Sequence, residues 1–350
     1  MNYLRKIFLA LIILMLGLSI LGCSSEPQQD ISQPEDPQTE ETVVEIEVPK
    51  EKKEGTPSPL SGLYFPNEKL QRRPLAIIYD NHGQARPQAG LIDAEIAFEF
   101  LAEGDITRYL GIFLGNEPEA IGGIRSARSY FIEKALELDA IFVHVGGSPE
   151  AFRDLSKYKV NSINAMNRGN DVFWRKNHKV APHNMYSSHK AIRGAAKNSS
   201  FREEASLEAW SFYEETQEIN GEAVNEIEIF YSKPYNPSYR FNKEEMVYYR
   251  YYNGKPHIDE TTKQQLYATN IIIQAVNARV VDKELRLDMD TIGEGKGLYI
   301  SNGKAIDIVW KKKDYKGLTR FYDLDGNEIT FNPGKTWVQV VKSLDSVTIL

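Results

Sequence analysis

The sequence is almost free of cysteine. Cys23 is the only one in 350 residues, which excludes an internal disulfide framework and leaves no second thiol for nucleophilic chemistry. Long apolar runs are also missing after the first twenty residues, and a bilayer-spanning helix needs roughly 20 apolar residues. The rest of the chain is therefore predicted to be soluble.

Long clusters of basic residues are missing as well. The formal net charge is −7, and the longest basic run is Lys311–Lys313. Non-specific binding to nucleic acid depends on basic side chains that neutralise phosphates. The composition therefore predicts no nucleic-acid partner.

Familiar catalytic and metal-binding motifs are absent from the sequence. It contains no Gly-x-Ser-x-Gly elbow, no His-Glu-x-x-His, no Walker loop and no Gly-x-Gly-x-x-Gly. The histidines between residues 161 and 189 match no zinc or EF-hand spacing. We expect no metal and no cofactor, and no motif assigns an enzyme class.

The amino terminus has the features of an export signal. Arg5 and Lys6 precede an apolar stretch over 7–20, and Gly22 stands directly before Cys23. This pattern is typical of a lipoprotein signal peptide, predicted over residues 1–22. We expect cleavage before Cys23, attachment of a diacylglyceryl group and palmitate there, and anchoring to the extracytoplasmic face of the cell membrane.

Residues 23–58 are rich in Glu, Pro, Gln, Ser and Thr and have few apolar residues. Such a segment buries too little surface to offset its ordering entropy. It is predicted to be a disordered acidic linker, with a short strand over 43–48 as the alternative. About 290 residues remain, enough for two ordinary domains.

Apolar runs alternate with helical patterns over residues 59–198, which predicts an α/β amino-terminal domain. The predicted strands are Leu75–Tyr79, Ile96–Phe100, Tyr109–Leu114 and Ile141–Val145. The predicted helices are Ser126–Leu138, one capped by Ser148, and one over about Ser188–Lys197.

Residues 225–350 have a different pattern, with a period of two and closely spaced turns. Asn-Gly or Asp-Gly pairs begin at residues 253, 302 and 325, and such pairs between alternating runs indicate hairpins. We predict a mostly antiparallel all-β carboxy-terminal domain, joined to the first by a connecting segment at 199–224. Its predicted strands are Ile271–Val276, Leu298–Ile300, Ile306–Trp310, Thr319–Tyr322, Glu328–Phe331 and Trp337–Val340.

The run Gly122 to Arg128 is the most unusual local feature. Glycines before a helix allow backbone N–H groups to face an oxyanion. Arg125 and Arg128, flanking Ser126 at the predicted helix start, are expected to lie on one face and to bind a carboxylate or phosphate.

A second interpretation of the same arginines is structural. Their partners would then be acids of the same domain, with Glu99 and Glu103 as candidates. The sequence alone leaves both interpretations open.

Polar residues follow two of the predicted strands. Asp80, Asn81 and His82 end the first strand, at the edge where α/β sheets usually bind ligands. Asp80 and His82 are candidates for an acid or base, or form a polar turn. His144 ends the fourth strand and is either a site residue or a satisfied core histidine. Arg175 and His183 lie in a long loop over 161–185, and loops of that length are usually functional or disordered.

Several longer stretches together resemble the YerB-like lipoproteins of Gram-positive and related bacteria, a family with two conserved domains of unassigned function. The stretches are IYDNHGQARPQAGL, AEGDITRYLGIF, IGGIRSARSYFIEKALELDAIFVHVGGSPEA, FWR, APHNMY and TRFYDLDGNEITFNPGKTWVQVV. They span roughly residues 59–348. One departure is that the family motif is entered by Gly-Pro-Val, whereas this chain has Gly123-Ile124 in place of Pro-Val.

The resemblance implies a membrane-anchored envelope protein and supplies no reaction. The positions that match family motifs are Asp80, Asn81, Arg86, Glu103, Arg108, Arg125, Arg128, His144, Arg175 and His183.

Three functions follow as hypotheses. The first is binding of an anionic cell-wall fragment or peptide carboxylate in the α/β domain, with candidate residues Asp80, Asn81, Arg86, Glu99, Glu103, Arg108, Arg125, Ser126, Arg128, His144, Arg175 and His183. The second is a cell-wall hydrolase that pairs Glu99 or Glu103 with Asp80 or His144, since carboxylates four residues apart share one face of a regular strand. The third is a scaffold whose β domain engages an envelope protein.

Overall fold

The computed structural model describes residues 53–350, which lie within one compact unit. The predicted signal peptide, Cys23 and the linker up to residue 52 lie outside the described residues. Thr56–Pro57 (β1) pairs with Tyr64–Phe65 (β2), and Ser58 is buried. The described fold thus already includes the last residues of the predicted linker. In this part of the chain, no helix is both long enough and apolar enough to span a bilayer.

An 11-stranded sheet forms the centre of the molecule. Its central strands are rich in β-branched and aromatic residues and are buried along all or nearly all of their length, as expected for strands covered on both faces. In sheet order they are β12 (Glu222–Ala223), β22 (Lys304–Lys312), β21 (Gly293–Ser301), β18 (Asn270–Ala275), β25 (Thr336–Val341), β4 (Ile96–Glu103), β5 (Ile106–Phe113), β3 (Leu75–Asp80), β7 (Ile141–His144) and β8 (Ser162–Asn164), with β23 (Arg320–Tyr322) beside β22.

Strand β25 joins the two halves of this sheet. It runs parallel to β18 on one side and parallel to β4 on the other. Strands from both sides of the predicted connecting segment 199–224 therefore belong to one sheet. The pairs β18–β21 and β21–β22 are antiparallel, as the hairpin signals of the second half predict.

A six-stranded sheet and four small strand groups complete the β structure. The six strands are β16 (Lys255–Pro256), β15 (Val247–Tyr252), β14 (Pro237–Asn242), β13 (Glu226–Ile229), β26 (Val347–Ile349) and β17 (Tyr267–Ala268), the last paired with β15. The small groups are β1–β2, then β6 (Ile121–Gly122) with β10 (Met185–Ser187) and β9 (Trp174–Arg175), β11 (Ser211–Phe212) with β24 (Thr330–Phe331), and β19 (Ala278–Val280) with β20 (Leu287–Met289).

The described helices are short. They are α1 (Asn67–Leu70), α2 (Ser129–Glu137), α3 (Pro149–Lys157) and α4 (His189–Asn198). Ser148 caps α3 as predicted, because its Oγ accepts a hydrogen bond from the Ala151 amide at 3.1 Å. Helix α2 begins at Ser129, three residues later than the sequence pattern predicts, and Arg128 is its N-cap residue.

Apolar residues pack on both faces of the central sheet. On one face, Phe131 and Ala135 of α2 pack with Phe98 and Phe100 of β4. The opposite face packs against the six-stranded sheet and against α4, in an apolar cluster that includes Tyr239, Tyr248 and Ile192. Side chains at the ends of β3, β5 and β7 therefore lie at the rim of a rigid, doubly covered sheet.

Candidate functional site

A segment of extended chain fills the gap where β3 and β7 diverge. The two strands pair in parallel only as far as Ile77 and Val143. Beyond that point the Arg125 amide donates to Ile78 at 3.0 Å, and the Arg125 carbonyl accepts from the Val145 amide at 3.0 Å. Arg125 is therefore fixed at the carboxyl end of two neighbouring strands, the usual ligand-binding edge of such sheets.

Asp80, the last residue of β3, is the centre of the candidate site. Its side chain is 2 % exposed, and Oδ1 accepts a hydrogen bond from the His82 amide at 2.9 Å. Oδ2 lies 2.6 Å from His183 Nδ1 and 3.3 Å from Arg125 Nε. We call Asp80, His82, Arg125 and His183 the Asp80 site.

Two imidazole rings stack in this site. The centroids of His82 and His183 are 4.3 Å apart, with an interplanar angle of 14°. Because a carboxylate can only accept, His183 Nδ1 carries a proton and donates it to Asp80. His82 Nδ1 accepts from the Gln84 amide at 3.2 Å, so the proton of neutral His82 is on Nε2.

The protonation state of His82 follows from its surroundings. Partial burial lowers the pKa of His82, and the neighbouring His183, Arg86 and Arg125 lower this pKa further, whereas Asp80 raises it. His82 is therefore neutral at pH 7. In the described part of the chain, neither His82 Nε2 nor His183 Nε2 has a hydrogen-bond partner.

The guanidinium of Arg125 forms no hydrogen bond with the described residues. Its side chain is 26 % exposed, and its buried Nε makes no hydrogen bond despite lying near Asp80. None of its guanidinium nitrogens donates to any residue between 53 and 350. Buried donors normally form hydrogen bonds, so a guanidinium at a strand end without a hydrogen-bond acceptor indicates a ligand or solvent partner.

A second group of charges adjoins Asp80 on the same face of the sheet. Arg108 lies directly opposite Asp80 in the antiparallel β3–β5 pair. Its Nη1 donates to the Ser126 carbonyl at 3.0 Å and to Ser126 Oγ at 3.2 Å, and its Nη2 donates to Glu103. We call Glu103, Arg108, Ser126 and Arg128 the Glu103 cluster.

The two arginines of the Glu103 cluster differ in how completely they are paired. Arg128 donates to Glu103 Oε2 from Nε at 3.0 Å and to the Ala127 carbonyl from Nη1 at 2.7 Å. Arg108 has a buried Nε without a hydrogen-bond partner. Burial and the charge of Arg128 lower the pKa of Arg108 to about 10, so Arg108 is still a cation at neutral pH.

Arg125 and Arg128 do not lie on one face, contrary to the prediction. Both arginines precede α2 in extended chain, where residues three apart point in opposite directions. Arg128 is paired internally with Glu103, as the structural interpretation proposed. Arg125 faces Asp80 instead, and Glu99 is not its partner.

The prediction that Glu99 and Glu103 share a face is wrong. Thr107 and Arg108 are consecutive in β5 and point to opposite faces. Glu99 accepts from Thr107 at 2.7 Å, whereas Glu103 pairs with Arg108. A β-bulge between Leu101 and Glu103 shifts the register and reverses the side of the sheet. The two carboxylates therefore cannot serve together as acid and base.

Asn81, Arg86 and Glu99 lie on the other face and connect the two halves of the chain. Glu99 is fully buried, with Oε2 at 2.5 Å from Arg250 Nη2. Arg86 donates from Nε to Asn81 Oδ1 at 2.9 Å, and its guanidinium lies 3.5 Å from the ring centroid of Tyr252. These contacts give the three residues structural roles. Arg250 was not expected, since nothing local in its tyrosine-rich strand indicates a buried charge.

His144 and Arg175 lie apart from the Asp80 site. His144 is fully buried, its Nδ1 donates to the Gly146 carbonyl at 2.7 Å, and burial lowers its pKa. Arg175 is exposed on β9 and donates to Asn184 at 2.7 Å. Neither shares a hydrogen bond or ion pair with Asp80 among the described residues. Over residues 53–350, no group of three or more His, Cys, Asp or Glu side chains is placed to hold a metal ion.

Both halves of the chain match a two-domain family whose function has not been assigned. Residues 60–202 match the model of the amino-terminal domain of DUF3048, a protein of unknown function, and residues 227–338 match the model of its carboxy-terminal domain. The chain belongs to this family, and the predicted resemblance is confirmed.

One relative and one solved structure that resemble the chain come from Bacillus subtilis. The chain is 33% identical over 295 residues to a Bacillus subtilis (strain 168) protein named "Putative lipoprotein YerB". The aligned region covers 83% of this chain and 88% of that protein. The crystal structure of YerB from Bacillus subtilis matches with a TM-score of 0.77 and 33% identity, over 84% of this chain and 99% of that one.

Proposed function

We propose that the chain is a lipid-anchored envelope protein that binds an anionic ligand at the Asp80 site. The anchoring rests on the lipobox-like sequence before Cys23 and on the name of its Bacillus relative. Cys23→Ala should prevent incorporation of a labelled palmitate and shift the protein out of the membrane fraction. Unchanged labelling and fractionation would contradict this half of the proposal.

The ligand proposal rests on one observation, that the guanidinium of Arg125 at the carboxyl end of β3 forms an ion pair with Asp80 but no hydrogen bond to the described residues. Arg108, on the other side of Asp80, adds a second buried Nε without a partner. Arginine is well suited to carboxylate and phosphate because it presents several donors in one plane. An oxyanion placed here would accept hydrogen bonds from the exposed part of the Arg125 guanidinium, which donates to no residue between 53 and 350.

The balance of charge favours an anion over a cation. The Asp80 site and the Glu103 cluster together hold three guanidinium groups and two carboxylates. Counting these five groups alone, positive charge is in excess by one. An anion with a single negative charge would neutralise the site.

Thermal unfolding and titration calorimetry with inorganic phosphate, acetate and cell-wall fragments test the proposal. A ligand present at one hundred times its dissociation constant stabilises the fold by about 2.7 kcal/mol. Arg125→Gln should abolish the stabilisation. Arg153→Gln is the matched control, because Arg153 is 68% exposed and pairs only with Glu150. Equal binding by wild type and Arg125→Gln would refute the proposed site.

A further inference from the structure

Besides Arg125, the Asp80 site contains two imidazole nitrogens without partners among the described residues, one suited to accept a proton and one suited to donate a hydrogen bond. His183 donates from Nδ1 to Asp80, so in the neutral ring its free Nε2 carries the lone pair. His82 accepts at Nδ1, so its free Nε2 carries a proton. The rings are stacked, which places these two unlike groups side by side.

Asp80 and His183 together have the arrangement of a general base. A buried carboxylate holds the imidazole in one tautomer and stabilises the imidazolium that forms when Nε2 takes a proton. The carboxylate is itself fixed, since its other oxygen accepts from the His82 amide at 2.9 Å. The two residues are 103 positions apart, so no sequence motif could reveal them.

We propose that the Asp80 site hydrolyses a phosphodiester, with His183 as the general base and Arg125 holding the phosphoryl oxygens. This inference rests on the anion site of the proposed function. A phosphodiester carries one negative charge, which matches the single positive charge in excess around Asp80 and Arg108. A phosphomonoester carries up to two, and a neutral ester or amide carries none.

The reaction balances without an added oxidant or reductant. A water oxygen bonds to phosphorus while its proton passes to His183 Nε2. The ester P–O bond breaks, and its electron pair leaves with the departing oxygen, which is protonated by solvent if it is basic. His82 donates from Nε2 to a non-bridging oxygen, and Arg125 and Arg108 neutralise the negative charge on the non-bridging oxygens. The products are a phosphomonoester and an alcohol.

The test uses the purified full-length chain with bis(4-nitrophenyl) phosphate as the diester and 4-nitrophenyl phosphate as the monoester. Wild type should release nitrophenolate from the diester in preference to the monoester. General-base catalysis is worth roughly 10² to 10⁴ in rate, so His183→Gln should lower turnover by at least about 100-fold. His178→Gln is the matched control, because His178 is 52% exposed and outside the site, and its rate should equal that of wild type.

Phosphate binding, measured in parallel, separates this inference from the proposed function. His183→Gln should bind inorganic phosphate within about 3-fold of wild type, a difference below 1 kcal/mol, whereas Arg125→Gln should lose both binding and turnover. If wild type binds phosphate but hydrolyses the diester no faster than His183→Gln, the catalytic inference is overturned and the binding site stands. If wild type does neither, both proposals are overturned.

Natural substrates then identify the source of the diester. Phosphatidylglycerol vesicles present a lipid headgroup, and poly(glycerol phosphate) presents a soluble envelope polymer. Hydrolysis of either one that is lost in His183→Gln supports the inference. Hydrolysis that is equal in wild type and His183→Gln would place the reaction elsewhere and overturn it.

Discussion

Glu99 on β4 accepts a hydrogen bond from Arg250 on β15 at 2.5 Å, and neither side chain is exposed to solvent. The Arg250 guanidinium lies 4.4 to 5.5 Å from the ring centroids of Trp337, Tyr109 and Tyr239. One ion pair within an aromatic enclosure thus ties the central sheet to the six-stranded sheet.

Removing one partner of this pair should destabilise the fold strongly. Glu99→Ala leaves a buried guanidinium without its counter-charge, which should lower the free energy of unfolding by about 4 kcal/mol. Urea denaturation followed by tryptophan fluorescence measures the free energy of unfolding. Glu150→Ala is the control, because its ion pair with Arg153 is exposed, and it should cost at most about 1 kcal/mol. Similar losses for both variants would show that the Glu99–Arg250 pair is not buried in solution.

Adding one methyl group at Gly123 should disturb the Asp80 site through the backbone. A β-carbon at Gly123 would lie 2.6 Å from the His183 carbonyl oxygen, so the loop that carries His183 must move away from Asp80. We expect Gly123→Ala to weaken phosphate binding by about 10-fold, equivalent to 1.4 kcal/mol. Gly83→Ala is the matched control, since a β-carbon there meets nothing within 4 Å. Unchanged affinity in Gly123→Ala would contradict the positioning of His183 by this contact.

Stability should fall in mild acid because of His189. Burial lowers the pKa of His189 to about 3, and the charges of Arg193 and Arg72 contribute. In the unfolded chain the same imidazole titrates near 6.5, so below that pH the unfolded state binds a proton that the folded state excludes. The stabilisation is complete above about pH 6.5 and is lost progressively as the pH falls toward 3.

The expected loss from His189 is about 2 kcal/mol between roughly pH 6.5 and 4.5, at 1.36 kcal/mol per pKa unit. Urea denaturation at both pH values measures it for wild type and for His189→Asn. The variant should lose about 2 kcal/mol less than wild type over this interval, whatever its stability at neutral pH. Parallel pH dependences would show that His189 takes up its proton equally well in the folded state.

Helix α3 offers a test of its cap. Ser148→Ala removes the acceptor of the Ala151 amide in a buried setting, and loss of such a cap typically costs about 1 kcal/mol. Ser148→Thr retains a hydroxyl and should recover most of that loss. The free energy of unfolding distinguishes the two variants, and an equal loss in both would mean that packing, and not the hydrogen bond, sets the cost.

Local features of the sequence predicted local features of the structure. The strand predicted over residues 75–79, which extends to Asp80 in the structure, the polar residue at its end and the Ser148 cap are each encoded by a few neighbouring residues. The bulge at Leu101 is a register shift against a partner strand and has no such local signal, so Glu99 and Glu103 were placed on one face. The stacking of His82 on His183 depends on a loop a hundred residues away, and was not foreseen.

The position of β25 has a consequence for biogenesis. This strand completes the sheet between β18 and β4, yet its first residue, Thr336, is made long after β4. Until it emerges, β4 presents an open edge of unpaired N–H and C=O groups, and the long-range pairing that closes it is intrinsically slow. A chain cut short before Thr336 would therefore be a substrate for proteases and aggregation, and the central sheet can close only after nearly the whole chain has been made.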